Sequence, residues 1–217
     1  MLIILLLLII RTIPFEASLL ICRAGFYIYL LFSERSRRQL LKAEIVLGGK
    51  RFRRKQFIKK LAFNVAVMAR IGTAFTRRLS ETAILEGAEH LEDLIKGNNT
   101  AVIATFHYGP WELIAEVFTA KGYKIGALVT KRPGLLVDSY FSSLRRRAGL
   151  QITHSLKQAT SLTRKGFFMA SLFDRTLRAK SNDMNFPYPD YQTSRLPLIL
   201  AARIRQPLVP VICRFMK

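Results

Sequence analysis

The stretch 105–112 reads Thr-Phe-His-Tyr-Gly-Pro-Trp-Glu, and it stands between an apolar run and the helix-like segment Leu113–Ala120. Gly109 and Pro110 interrupt any regular element here, because glycine permits unusual φ values and proline suits the first turn of a helix rather than its interior. An apolar run, a turn and a helix in this order are typical of an α/β unit. The stretch therefore predicts a buried strand over residues 101–105, followed by a turn and a helix.

His107 and Glu112 are the side chains of this stretch that suit catalysis. On one regular helix, five positions at roughly 100° per residue would separate them by about 140°, so only a turned chain brings them together. A carboxylate beside one imidazole nitrogen would fix the tautomer and leave the other nitrogen free to accept a proton. We expect Glu112 to contact His107 in this way. From the spacing alone a second interpretation also stands, in which His107 is a hydrogen-bonded strand-end residue and Glu112 only begins a helix.

The composition describes one sizeable and strongly basic domain. The chain has 217 residues, half of them hydrophobic, and its 35 basic and 14 acidic residues give a formal net charge of +21. Such a charge predicts attraction to phosphates, anionic lipid headgroups or an acidic protein partner, and composition does not choose among them. Cys22 and Cys213 have neither a nearby partner nor metal-ligand spacing, so no disulfide framework and no metal site is predicted.

Two apolar runs open the chain, at residues 1–10 and 19–32. Neither run alone reaches the roughly 20 residues that a membrane-spanning helix needs. Together they predict a hydrophobic membrane anchor over residues 1–32, either as one irregular span or lying in the membrane interface. A cleaved signal peptide is not expected, because no Lys or Arg precedes the apolar core and no A-x-A pattern follows it. The alternative is a buried helix of a soluble protein.

A basic juxtamembrane segment follows at residues 33–60, where eleven Lys and Arg residues stand against Glu34 and Glu44. Basic residues directly after an apolar segment are the positive-inside signature, which places the domain at 61–217 in the cytoplasm. Each basic residue near an anionic leaflet would add about 1 kcal/mol of attraction. A solvated charged face is the alternative interpretation.

Strands and helices are predicted to alternate through the rest of the chain. We expect helices over 57–79, 89–96, 139–148, 156–164 and 196–204, a strand and turn over 84–87, strands over 124–130, 151–153, 167–173 and 208–213, and a loop over 183–190. This alternation predicts an α/β fold, a mostly parallel sheet flanked by helices. Reactive residues gather at the carboxyl ends of parallel strands, where His107 and Asp174 would both lie.

The motifs, taken in chain order, resemble those of the bacterial lipid A biosynthesis (lauroyl/myristoyl) acyltransferase family. The similarity runs from the apolar N-terminus to Cys213. The family's H-x4-[DE] element is matched by His107 and Glu112, its R-x3-G element by Arg145 and Gly149, its G-strand-D element by Gly166 and Asp174, and its Phe-Phe-Gly-like loop by residues 186–189.

This resemblance implies an acyltransferase-like fold that transfers a fatty acyl chain from an acyl carrier protein or CoA thioester to a hydroxyl of a lipid A precursor. The expected location is the bacterial inner membrane, with the catalytic domain on the cytoplasmic face. No metal and no cofactor is implied beyond the acyl thioester as co-substrate. The implied site consists of His107 as general base, Glu112 as its orienter, Arg145 for acceptor phosphate or developing charge, Asp174 in an undefined role, and Phe186 and Tyr188 along an acyl-chain groove. For the last four residues, structural interpretations also stand: a solvated helix arginine, a strand-end cap and packing aromatics.

The sequence departs from the family pattern in two places. The family continues for several tens of residues beyond the strand near Cys213, so we expect the α/β domain at 61–217 to lack its C-terminal end. The run Arg-Leu-Pro at 195–197 replaces a small-residue turn before the closing helix, which predicts a different acceptor pocket.

Two other functions compete with this one. An acyltransferase for another glycolipid or glycerolipid would use the same H-x4-E motif. A non-catalytic basic protein that binds membrane surfaces or nucleic acid would explain the charge. The apolar N-terminus and the lack of a recognition module argue against nucleic acid, so no nucleic-acid partner is expected. The sequence contains no G-x-S-x-G and no phosphate-binding glycine loop, which argues against a serine hydrolase or a nucleotide enzyme.

Overall fold

The computed structural model describes residues 2–46, 53–129, 136–174, 184–185 and 192–215. The chain divides into two compact units, Met1–Arg70 and Ile71–Lys217. The first unit is helical within its described residues, and the second contains all the described strands.

The first unit contains four helices: α1 (Leu2–Thr12), α2 (Phe15–Phe32), α3 (Glu34–Val46) and α4 (Arg54–Met68). Small residues contribute to the buried faces of α2 and α4: Ser18 and Cys22 on α2, and Ala62 and Ala66, beside the larger Ile58 and Val67, on α4. Each pair is four positions apart and so lies on one face of its helix, where short side chains allow the two backbones to approach closely.

Two arginines tie α1 to the end of α4. Arg11 donates to the carbonyl of Ala69 at 3.1 Å, and the buried Arg70 donates to the carbonyls of Ala66 and Ile13 at 2.9 and 2.7 Å. These bonds satisfy carbonyls at helix ends that no intrahelical N–H reaches.

Helix α2 exposes much of its apolar surface. Among the described residues it is the one helix long and apolar enough to cross a membrane, and only 11% of that 18-residue window is buried within the unit. Leu20, Leu31 and Phe32 are exposed by 64%, 68% and 85%. Most of this helix is therefore not buried against the described residues.

The second unit begins with α5 (Ala74–Glu81) and α6 (Ala88–Lys96) and then alternates between strands and helices. The remaining elements are β1 (Val102–Thr105), α7 (Leu113–Ala120), β2 (Ile125–Leu128), α8 (Leu136–Arg147), β3 (Gln151–Thr153), α9 (Leu156–Thr163), β4 (Phe168–Leu172), β5 (Met184–Asn185), β6 (Gln192–Thr193), α10 (Leu196–Ile204) and β7 (Leu208–Pro210).

Five of the strands form one parallel sheet in the order β3-β2-β4-β1-β7, and β5 pairs with β6 in a separate antiparallel ladder. All four residues of β1 are buried, as expected of a strand covered on both faces. Helices α9 and α10 cover one face together: Ala159, Leu200 and Ala201 pack with Val102 and Met169 in one core cluster. The predicted α/β fold with a mostly parallel sheet is confirmed.

The element predictions are largely confirmed, with ends that differ by a few residues. Two of them are wrong. The single helix over 57–79 is two helices, because the chain turns between them at Gly72, whose φ of +74° is left-handed. Of the strand and turn expected over 84–87, the turn is present at residues 86–87, where Gly87 with φ +79° precedes α6, but residues 84 and 85 form no strand. The expected loop over 183–190 lies mostly outside the described residues.

Candidate functional site

The sheet register brings His107 and Asp174 to the same level. Strands β1 and β4 are adjacent and parallel, and Thr105 pairs with Leu172. Each of the two site residues lies two positions beyond its paired strand residue. Both therefore emerge side by side at the carboxyl edge of the sheet, where active sites of such folds are built.

Two hydrogen bonds join His107 to the Asp174 carboxylate. The backbone N–H of His107 donates to Oδ2 at 2.8 Å, and the ring Nδ1 lies 2.8 Å from Oδ1. The side chains of His107 and Asp174 are 24% and 11% exposed, so a substrate can reach the ring while its carboxylate partner is largely shielded. The imidazole is held both at its backbone and at its ring.

The charge state of Asp174 fixes the tautomer of this histidine. Burial by itself would raise the pKa of Asp174, but the hydrogen bonds from the His107 ring and backbone N–H outweigh it and leave the pKa below its ordinary value. An ionised carboxylate only accepts, so Nδ1 must carry the proton. The other ring nitrogen, Nε2, then has a free lone pair.

Glu112 does not occupy the place expected for it. Its carboxylate forms a two-point ion pair with Arg145, in which Nε donates to Oε2 at 2.9 Å and Nη2 donates to Oε1. The expected contact between Glu112 and the His107 ring is therefore wrong, because both carboxylate oxygens face the guanidinium and Asp174 takes the position at Nδ1. Helix α8 brings Arg145 to Glu112, and the spacing along the chain did not reveal that long-range contact.

Arg145 keeps its charge in this setting. Burial disfavours the cation, but the hydrogen bond and charge of Glu112, together with the charge of Asp138, raise the pKa of Arg145 above its usual value. Its guanidinium carbon lies 5.9 Å from the centre of the Phe141 ring. The ion pair uses Nε and Nη2 of the guanidinium.

Gly109 makes the turn between β1 and α7 possible. Its φ is +58°, and a Cβ at this position would overlap the carbonyl oxygen of Cys213. The segment after β7 reaches this place because β7 pairs with β1 and Val211 continues the ladder by donating to the Ala104 carbonyl at 2.9 Å. Only glycine meets both demands, the left-handed backbone and the close approach.

Trp111 completes the surroundings of the histidine. Its ring packs edgewise against the His107 ring, with centroids 4.8 Å apart. The amides of Leu113 and Ile114 are occupied by the carbonyls of Pro110 and Trp111. The Trp111 ring was not singled out from sequence, although its position four residues after the histidine was the available signal.

The remaining predicted site residues stand as follows. Phe186 and Tyr188 lie outside the described residues. The chain's other two histidines, His90 and His154, are exposed, and Nδ1 of His154 lies 2.9 Å from the carbonyl oxygen of Val129. Within the described residues, no group of three or more His, Cys, Asp and Glu side chains is arranged to hold a metal ion.

The fold and the site together define a class: an α/β protein with a carboxylate-bound histidine at the carboxyl edge of a parallel sheet, beside a partly buried Arg–Glu pair. A family model described as bacterial lipid A biosynthesis acyltransferase matches residues 1–217, the whole chain, so the chain belongs to that family. No curated protein matches it. Membership identifies an acyltransferase of lipid A synthesis.

Proposed function

We propose that the protein moves a fatty acyl chain from an acyl carrier protein or CoA thioester to a hydroxyl of a lipid A precursor, with His107 as the general base. The observation that carries this proposal is the pair of 2.8 Å bonds from Asp174 to His107, which leaves Nε2 free to accept a proton. Family membership supplies the reaction class. The two together favour an enzyme over a non-catalytic basic protein.

The base step follows from the tautomer. Nε2 of His107 takes the proton of the acceptor hydroxyl while that oxygen attacks the thioester carbonyl carbon. The imidazolium that forms is stabilised by the Asp174 carboxylate at Nδ1. A positioned base of this kind contributes about 10²–10⁴-fold to the rate. In this proposal Asp174, rather than Glu112, is the positioning carboxylate.

Negative charge develops on the thioester oxygen as the tetrahedral intermediate forms. Donors aimed at that oxygen lower the barrier most when they are fixed before the reaction. Nη1 of Arg145 is one such donor, because Glu112 holds the guanidinium by its other edge. The backbone amides of Trp111 and Glu112, which precede α7, are the second candidate.

Collapse of the intermediate completes the transfer. The C–S bond breaks, the carrier leaves as a thiol after taking the proton from His107 Nε2, and the new ester bond remains on the acceptor. The acceptor hydroxyl attacks directly, so no acyl-enzyme forms and no cofactor beyond the thioester is consumed. Phe186 and Tyr188 keep their proposed place along the acyl chain.

The proposed location is the inner membrane, with the α/β unit on the cytoplasmic face. The exposed apolar surface of α2 supports an anchor at residues 1–32. The basic residues at 33–60 follow it directly and support both the orientation and a contact with anionic lipid. A family that acts on a lipid precursor fits this placement.

The test is acyl transfer by detergent-solubilised full-length protein, with labelled acyl carrier protein and acyl-CoA donors and a lipid A precursor as acceptor. We expect His107→Ala to lose at least about a hundredfold in kcat. The matched control is His154→Ala, which removes an exposed histidine at the same edge of the sheet and leaves the rate unchanged. Equal rates for wild type and His107→Ala would refute the general-base role. Transfer to a glycerolipid but not to the precursor would favour the competing acceptor.

A further inference from the structure

A basic groove lies between the outer surfaces of α9 and α10. It encloses about 650 Å³ and is lined by Leu156, Lys157, Thr160, Ser161, Arg164 and Arg203. The inward sides of the same helices fill the core over β1 and β4, so the groove is the valley on the solvent side of that layer. The site residues described above do not line it.

The groove's positive charge is not neutralised within the described part of the chain. Helices α9 and α10 contain no Asp or Glu, and none follows Asp174 among the described residues. No ion pair of the described residues involves Lys157, Arg164 or Arg203. Repulsion between these uncompensated like charges lowers the stability of the folded chain. A bound partner of opposite charge would offset this repulsion.

The spacing of the cations selects an extended partner. Lys157 and Arg164 are seven positions apart on α9, about 10 Å at 1.5 Å per residue. One phosphate takes donors that converge within hydrogen-bond distance, whereas cations about 10 Å apart match several carboxylates spread along a protein surface. The groove is concave, which suits a protruding helix or loop better than a flat bilayer.

The helices that form the groove begin at the same edge of the sheet as the candidate site. Helix α9 begins directly after β3, and α10 leads into β7, so both helices begin at the carboxyl edge of the parallel sheet. His107 and Asp174 lie at that same edge. Lys157, in the first turn of α9, lies near that edge, whereas Arg164 and Arg203 lie at the other ends of the two helices. A protein that fills the whole groove would extend from these two arginines to the edge where the thioester must be presented.

We propose that the groove between α9 and α10 is the docking surface for an acidic protein that delivers the acyl group, the acyl carrier protein of the proposed function. The inference rests on that function and adds the surface by which the donor is recognised. Lys157, Arg164 and Arg203 pair with carboxylates of the carrier, and the hydroxyls of Thr160 and Ser161 hydrogen-bond to its polar groups. Charge complementarity of this kind speeds encounter and selects the partner.

The experiment compares two donors with the full chain in detergent at low salt. One donor is an acyl carrier protein thioester, and the other is the uncharged S-acyl-N-acetylcysteamine, which has no protein surface. The groove variant carries Lys157→Glu, Arg164→Glu and Arg203→Glu. The matched control carries Arg77→Glu, Arg78→Glu and Lys121→Glu, the same change of charge at exposed positions outside the groove.

In the groove variant, we expect the ratio of kcat/KM with the carrier protein to kcat/KM with the small thioester to fall at least about tenfold. In the control variant this ratio should equal that of wild type. The wild-type rate with the carrier protein should also fall as salt rises. An equal loss with both donors, or no loss with either, would overturn the docking surface while leaving the proposed function intact.

Direct binding separates the two proposals if wild type transfers from neither donor. Fluorescence anisotropy of a labelled carrier protein then measures docking alone. Binding by wild type and the control that is lost in the groove variant supports the groove although the proposed function has failed. Absence of carrier binding by wild type overturns the docking surface. Loss of binding to vesicles of anionic phospholipid in the groove variant, with carrier binding unchanged, also overturns it and assigns the groove to the membrane.

Discussion

Replacing Asp174 by Asn tests whether this carboxylate, rather than Glu112, positions the base. Asp174 accepts two bonds at 2.8 Å from His107, one from the backbone N–H and one at the ring Nδ1. An Asn side chain has one acceptor oxygen and one donor nitrogen. If its oxygen keeps the backbone bond, its NH₂ faces Nδ1, which must then become the acceptor. The proton moves to Nε2, the nitrogen that the base step needs free.

The magnitude follows from this reversal. A reversed tautomer removes the general-base contribution, so kcat should fall by about 10²–10⁴-fold. At 1.36 kcal/mol per tenfold change this is about 2.7–5.4 kcal/mol of transition-state stabilisation. Substrate binding does not use Nε2 in the same way, so KM should change by less than about threefold. The split between kcat and KM separates a positioning role from a general loss of structure.

The assay is acyl transfer under single-turnover and steady-state conditions with Asp174→Asn, Glu112→Gln and the control Asp93→Asn. Asp93 is an exposed carboxylate that pairs with the exposed Lys96 within α6, and its variant should match wild type. Glu112→Gln should weaken the ion pair that holds Arg145 and so reduce the stabilisation of negative charge on the thioester oxygen. The reasoning is refuted if Asp174→Asn stays within about threefold of wild type in kcat while Glu112→Gln loses a hundredfold.

Three further predictions concern the turn at Gly109, the loss of stability at low pH and the half-buried thiol of Cys213. Gly109→Ala should lower the free energy of unfolding by about 2–5 kcal/mol, from a left-handed backbone (about 1–2 kcal/mol) and overpacking against the Cys213 carbonyl (about 1–3 kcal/mol); urea denaturation that shows no loss would contradict this. Because the pKa of Asp174 is lowered in the folded protein, its carboxylate stabilises the fold above its unfolded pKa of about 3.9, and this stability is lost as pH falls through the folded value. The unfolding free energy of wild type should therefore fall more steeply below about pH 4 than that of Asp174→Asn, and parallel curves would contradict the shift. Burial raises the pKa of Cys213 to about 11, so iodoacetamide at pH 8 should alkylate it about tenfold more slowly in the folded protein than in urea, since about a hundredfold less thiolate is partly offset by higher nucleophilicity; mass spectrometry that finds equal rates would refute the shift.

The sequence predicted the strand, turn and helix around residues 105–112 because their causes are local. Apolar residues form β1, Gly109 and Pro110 end it, and α7 follows at Leu113–Ala120 as expected. The same local logic failed at residues 57–79. There the apolar period continued through Gly72, and only the folded chain shows that this glycine has a left-handed backbone. A periodicity argument weighs side chains and does not see the backbone conformation that ends a helix.

The partners of the site residues could not be read from spacing. His107 and Glu112 are five positions apart, which suggested that they form a pair, yet Asp174 and Arg145 take their side chains instead. Both contacts cross long stretches of chain. The position of Asp174 at the end of a predicted strand was a valid signal, but its use required knowing that β4 is the neighbour of β1.

By itself the sequence determined the α/β class, the apolar N-terminus with its basic flank, and the residue types available for acyl-transfer chemistry. These depend on periodicity, charge and turn residues that act within a few positions. The tertiary structure alone decided which carboxylate contacts His107, that Arg145 neutralises Glu112, and that α9 and α10 place three cations along one groove. The reason is the sheet: strand order and register are set by the packing of the whole unit, and they bring together residues that no local pattern connects.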